Sequence, residues 1–155
     1  MPFQISALPT DRFQHLFGAD EDVLRAHGAK RMVVSECPGS PCRISLEDAA
    51  VGESVLLLNF EHLPVSSPYR SSHAILIREN AEQAKLAPGE VPEQLRIRLL
   101  SVRAFDQEGM MIDADVVEGT DLEQLVERML AQPSVSYLHV HHAKPGCYGA
   151  RIDRR

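Results

Sequence analysis

Val135-Ser-Tyr-Leu-His-Val-His-His142, Ala143-Lys-Pro-Gly146 and Cys147-Tyr-Gly-Ala-Arg-Ile152 read in succession as strand, turn and strand. Leu138 and Val140 alternate with His139 and His141, the period of a β-strand, and Pro145-Gly146 supplies turn chemistry. So short a connection cannot carry a crossover, so the two strands must be antiparallel. Further upstream, Ser101 to Asp106 and Met110 to Val117 flank Gln107-Glu108-Gly109, a second hairpin signal. Phe3, Ile5 and Ala7 alternate with Gln4 and Ser6 as another strand. Met32 to Val34 is a short strand. Ser54 to Phe60 is an apolar run without alternation, a strand buried on both faces. His73 to Arg78 resumes as strand after the loop from Glu61 to His73, about a dozen residues, a length that is often functional.

Helical signals are fewer. Phe13, Leu16 and Phe17 have helical spacing before Gly18, and Asp20 to His27 ends at Gly28. The clearest helix runs from Asp121 to Ala131. Thr120 and Glu123 suit a capping box, Leu122, Leu125, Val126, Met129 and Leu130 form one stripe, and Pro133 stops it. Glu93 to Leu99 supports helix or strand. Cys37 to Cys42, with two prolines and a glycine, must be loop. Strands joined as hairpins, rather than βαβ alternation, predict an α+β fold: a mostly antiparallel sheet, a few short helices and one longer amphipathic helix near Asp121–Ala131. The 155 residues predict a single domain, 1–155.

Composition narrows the function classes. Apolar residues make up 44% and charged residues 25%, values of a folded globular chain. The net charge is −6, and the last twelve residues carry +3, so the rest carries −9. An acidic body repels phosphate backbones, so no nucleic-acid partner is expected. No apolar run nears the roughly 20 residues of a membrane helix, so no membrane partner is expected. Met1-Pro-Phe-Gln-Ile-Ser6 lacks the pattern of a secretion signal, which predicts a cytoplasmic protein with Cys37, Cys42 and Cys147 as thiols or metal ligands.

Three stretches, Cys42-Arg-Ile-Ser-Leu-Glu-Asp-Ala49, Ser67-Pro-Tyr-Arg-Ser-Ser-His-Ala74 and Pro145-Gly-Cys-Tyr-Gly-Ala-Arg151, resemble a bacterial family known as domain of unknown function 1203. The resemblance spans essentially the whole chain. It implies an intracellular single-domain protein and carries no assigned activity. Cys37 and His142 depart from the pattern this resemblance implies, in which position 142 is usually Asn.

The sharpest chemical feature is His139, His141 and His142. On a strand, His139 and His141 share one face, and two imidazoles spaced i, i+2 can chelate a divalent metal such as zinc. A third ligand would come from Asp113 or Asp115, or from His62 or His73 at the ends of the long loop. His139 and His141 are also candidate general bases. If Ala143 to Gly146 is the turn, Cys147 lies opposite His142, where an imidazolium would activate a thiolate nucleophile. Cys37-x4-Cys42 with His142-x4-Cys147 is an alternative zinc set. Arg43, His62, Tyr69, Arg70 and His73 are candidates for a pocket holding a small anionic ligand, although Arg70 has an internal partner available in Glu61. Asp113 and Asp115 form a carboxylate pair that a solvated strand also explains. These residues predict a small-molecule enzyme or ligand-binding domain, its site between the Glu61–His73 loop and the His139–Cys147 hairpin. The alternative is a non-catalytic structural or interaction protein whose histidines and arginines support loops.

Overall fold

The computed structural model describes residues 2–155. The order is β1 (Phe3–Ser6), 3-10 turns at Thr10–Arg12 and Gln14–Leu16, α1 (Glu21–Ala26), β2 (Ala29–Val33), β3 (Ser54–Leu63), β4 (Ser71–Arg78), α2 (Glu93–Arg96), β5 (Leu99–Phe105), β6 (Met111–Glu118), a 3-10 turn at Gly119–Asp121, α3 (Leu122–Leu130), β7 (Tyr137–His142) and β8 (Tyr148–Arg154). The fold is α+β and mostly antiparallel. One sheet has the strand order β1-β8-β7-β5-β6, and the other β2-β3-β4.

The chain groups into two compact units. The first holds the residues up to Ser6, Glu61–His73 and Lys85–Arg155; the second holds Ala7–Phe60 and Ala74–Ala84. In the first, every strand pairing is antiparallel. Opposed residues share a face, so Val102, Val140 and Ala150 line one side and Arg103, His139 and Arg151 the other. The first side is apolar, and Val102, Val140 and Ala150 are almost wholly buried. Helix α3 lies along it, because Arg128 and Gln132 reach Asp115 and Asp113, which share that face with Val102 and Ala104. Its predicted stripe, Leu122, Leu125, Val126, Met129 and Leu130, is buried throughout. In the second unit, Arg31 of β2 is held to Glu79 by two bonds of 2.8 Å.

Local expectations shift in four places. Phe13, Leu16 and Phe17 lie on and beside 3-10 turns, not an α-helix. The ambiguous 93–99 stretch holds both a short helix and the start of β5. The Glu61–His73 loop is shorter than predicted, because Glu61, His62 and Leu63 extend β3 and Ser71 to His73 begin β4. The capping box does not form. Thr120 sits inside a 3-10 turn, and Asp121 at the N-cap makes no side-chain bond. Glu123 instead takes both guanidinium nitrogens of Arg96. Two charge-assisted bonds outweigh one bond to a backbone N–H.

Gly119 marks the tightest approach. A Cβ there would overlap the Leu95 carbonyl oxygen and lie 2.7 Å from that of Arg96, both fixed in the backbone. Gly119→Ala is therefore expected to destabilise the protein by about 3 kcal/mol or more, at the upper end of overpacking costs. Urea denaturation of the variant beside the wild type checks this.

Candidate metal centre

Strand β7 is the central strand of the five-stranded ladder, between β5 and β8, so its side chains are walled in on both flanks. His139 lies opposite Arg103 on β5 and Arg151 on β8. His141 lies opposite Ser101 and Tyr148. The tip of β3 brings His62 against this face, in the same compact unit. The His62 ring stands edge-on to His141, centroids 5.0 Å apart, and to His139 at 5.9 Å. Tyr148 stacks on His62 at 5.4 Å and meets His139 edge-on at 5.0 Å. Phe105 closes the other flank of His139 at 5.3 Å.

All three imidazoles are buried, with His62 9%, His139 3% and His141 1% exposed. One ring nitrogen from each lies within 4.8 Å of the others, and among the described residues this is the one group of three or more His, Cys, Asp or Glu side chains that converge in this way. His62 Nδ1, His139 Nδ1 and His141 Nε2 have no hydrogen-bond partner. The other nitrogen of His141, Nδ1, lies 2.9 Å from the Gly146 carbonyl oxygen. A carbonyl only accepts, so Nδ1 carries the proton and Nε2 keeps its lone pair. Metal-bound histidines are oriented by this same outer bond.

The electrostatics keep the rings neutral. Burial lowers the His62 pKa to about 4, reinforced by the charges of Arg103 and His73. His139 falls to about 3, mainly through burial and then through His141, His62, Arg151 and Arg103. His141 also falls to about 3 through burial, only partly opposed by its bond to Gly146. A neutral imidazole is the form that binds a metal.

The other candidates occupy varied positions. His73 is partly exposed at the start of β4. Arg70 pairs with Glu61 at 3.1 Å on the surface, and Tyr69 is 39% exposed. Arg43 lies in the second unit, buried, with a nitrogen donating to the Pro41 carbonyl. Cys147 is buried, and the turn closes as predicted, with His142 N–H donating to the Cys147 carbonyl at 2.9 Å. Asp113 and Asp115 hold α3 through Gln132 and Arg128. Cys37 and Cys42 are in the second unit, where the Cys42 sulfur accepts backbone N–H bonds from Ile44, Ser45 and Arg78. That unit also has a cleft of about 340 Å³ beside Arg31, Arg78, Glu53 and Glu79, whose charges pair off.

Two residues at the centre escaped the sequence reading, Arg103 and Tyr148. For Arg103 a signal was present: it interrupts the buried run Val102-Arg103-Ala104 in the middle of a strand.

A family described as "Protein of unknown function (DUF1203)" matches residues 39–154, and the chain belongs to it. No curated protein and no solved structure matches the chain.

The metal-free protein should lose stability in acid. The three rings take up protons only near pH 3 to 4 when folded, and near the ordinary 6.5 when unfolded. Unfolding therefore binds protons between these limits, so stability is complete above pH 6.5 and declines as the pH falls toward 4. Each ring contributes a slope of up to about 1.4 kcal/mol per pH unit within that window. Urea midpoints from pH 7.5 to 4.5 measure the slope, and His139→Phe should remove about one ring's share of it.

Proposed function

We propose that this member of the DUF1203 family is a metal-dependent enzyme acting on a small molecule, with a divalent ion held by His62, His139 and His141. The observation that carries this reading is that three buried imidazoles each bring a ring nitrogen within 4.8 Å of the others, and each ring has a nitrogen without a hydrogen-bond partner. Each buried polar atom left unpaired costs about 1–3 kcal/mol. One ion would satisfy all three together.

The donor set argues for zinc among the first-row ions. Three neutral imidazoles without thiolate or carboxylate suit a tetrahedral ion, and three protein ligands leave a fourth position open to a substrate. Zinc bonds of about 2.1 Å place ligand atoms about 3.4 Å apart, so nitrogens that lie within 4.8 Å of one another need to close in by up to about 1.4 Å. When bound, the ion supplies Lewis acidity at that fourth position. The chain's own residues would do the rest: Gly146 fixes the tautomer of His141, Tyr148 and Phe105 hold the ring planes, and Arg103 sits beside the centre on the partly exposed side.

The edge-to-face packing of the rings favours a second reading, a purely structural aromatic layer. Metal binding separates the two. The wild type should bind one zinc per chain, measured by calorimetry and elemental analysis after dialysis. At a free zinc concentration 100 times Kd, stability should rise by about 2.7 kcal/mol, or about 5–10 °C in Tm for a chain of this size. His139→Ala/His141→Ala should reduce affinity by more than the roughly 100-fold seen when only an outer bond is lost. An unchanged Tm with zinc, together with no stoichiometric metal, would leave the structural layer as the correct reading.

A further inference from the structure

We propose that the substrate of this centre carries a carboxylate, which Arg103 anchors beside the ion through its guanidinium fork. This rests on the metal reading above and names the substrate class for that same site.

The full charges that act on the three imidazoles are positive: Arg103 on all three and Arg151 on His139. No carboxylate acts on any of them. Arg151 is already matched, because Asp153 takes its Nε and Nη2 at 2.9–3.1 Å. Arg103 is not matched. Its Nε reaches the Ser101 hydroxyl at 3.3 Å, no carboxylate among the described residues pairs with it, and burial works against its charge. A dication on three neutral imidazoles would bring +2 into a site that already holds the +1 of Arg103. Concentrated positive charge in a partly buried place requires an anion.

The surroundings of Arg103 select the kind of anion. The cross-strand register puts His139 on one side of Arg103 and Ala114 on the other, with Val116 opposite Ser101 on the same face. Ala114 and Val116 are exposed, Val116 by 57%. A guanidinium flanked by imidazoles and by bare apolar surface suits an organic acid: the carboxylate meets the fork bidentately, and an apolar body covers Ala114 and Val116. The metal and the acid should then tighten each other's binding, since each offsets the charge of the other.

Cobalt(II) titration followed by visible absorption tests this in the whole chain, with benzoate as probe and inorganic phosphate for comparison. In the wild type, benzoate should change the cobalt spectrum saturably and raise cobalt affinity by about tenfold, within the usual range of coupling. Phosphate should bind more weakly than benzoate. Arg103→Met should bind cobalt at least as tightly as the wild type without benzoate, because a positive neighbour is gone. It should lose about tenfold or more in benzoate affinity, along with the coupling. A merely structural arginine would not produce that opposite pair of effects. Arg103→Lys, which keeps the charge and loses the fork, should show an intermediate loss, and it decides the matter if Arg103→Met does not fold. Wild-type benzoate binding in cobalt-loaded Arg103→Met, or no benzoate effect in the wild type, would overturn this proposal and leave the metal reading standing. Phosphate binding tighter than benzoate would also overturn it. Failure of the wild type to bind cobalt would remove the metal reading, and the carboxylate proposal with it.

Discussion

The arrangement of the centre depends on one close backbone approach in β8. Val140 pairs with Ala150, but the next residue, His141, pairs with Tyr148, so Gly149 is the extra residue of a bulge. A Cβ at position 149 would lie 3.1 Å from the Val140 carbonyl oxygen and 3.3 Å from His142 Nε2. The bulge can therefore form at this tightness because the residue is glycine. Faces alternate along a strand, so Arg151 and Tyr148, an odd and an even position, reach the same face only because one residue is skipped. Without the bulge, Tyr148 would turn away from His141 and the stack on His62 would lose its partner. The backbone geometry of a single glycine thus settles which ring covers the three imidazoles.

Burial then decides the charge state of what the bulge has gathered. Three imidazoles under 10% exposed, with arginines on both neighbouring strands, cannot hold protons at neutral pH. They enter the core as neutral bases with lone pairs. This is an expensive arrangement for a fold that needs only stability, and a ready one for binding a metal. The same positive surroundings that expel protons also oppose a cation, which is why the charge of the centre and the chemistry of its ligand have to be considered together.

The sequence carried the local part of this and little of the long-range part. Alternation in Leu138-His139-Val140-His141 put two imidazoles on one face, because the two-residue period of a strand is a purely local property. The α3 stripe was legible for the same reason. The sequence offers four candidates for a third ligand, Asp113, Asp115, His62 and His73; that His62 is the one beside the pair depends on where a hairpin some 80 positions away folds back, which no spacing within β3 records. Arg103 was passed over because its importance comes from the β5–β7 register, which exists only once the sheet has formed. Glu123 had the spacing of a capping box, yet Arg96, 27 residues earlier, competed for it and won. The candidate pocket joined Arg43 to His62 through shared chemistry, whereas the chain assigns them to separate compact units. Sequence spacing reports what a residue can do, and the sheet register determines what it meets.

Packing and ligation are two reasons for histidine at these three positions, and their energies differ. Edge-to-face ring pairs are worth about 0.5–1.5 kcal/mol each beyond their area burial, and phenylalanine makes them as well as histidine does. Phe105 shows that the site accommodates such a ring, at 5.3 Å from His139. A layer built only to pack would gain that contact energy without orphaned nitrogens. Three imidazoles gain a similar amount and lose about 1–3 kcal/mol for each unpaired atom, a deficit of about 3–9 kcal/mol. That is comparable with the whole stability of a typical domain, about 5–15 kcal/mol. Contact energy alone does not offset a cost of that size, whereas a ligand that takes all three lone pairs does. These magnitudes are the case for the proposed ligation over packing alone at His62, His139 and His141, with the ring contacts as the means of holding the side chains in place.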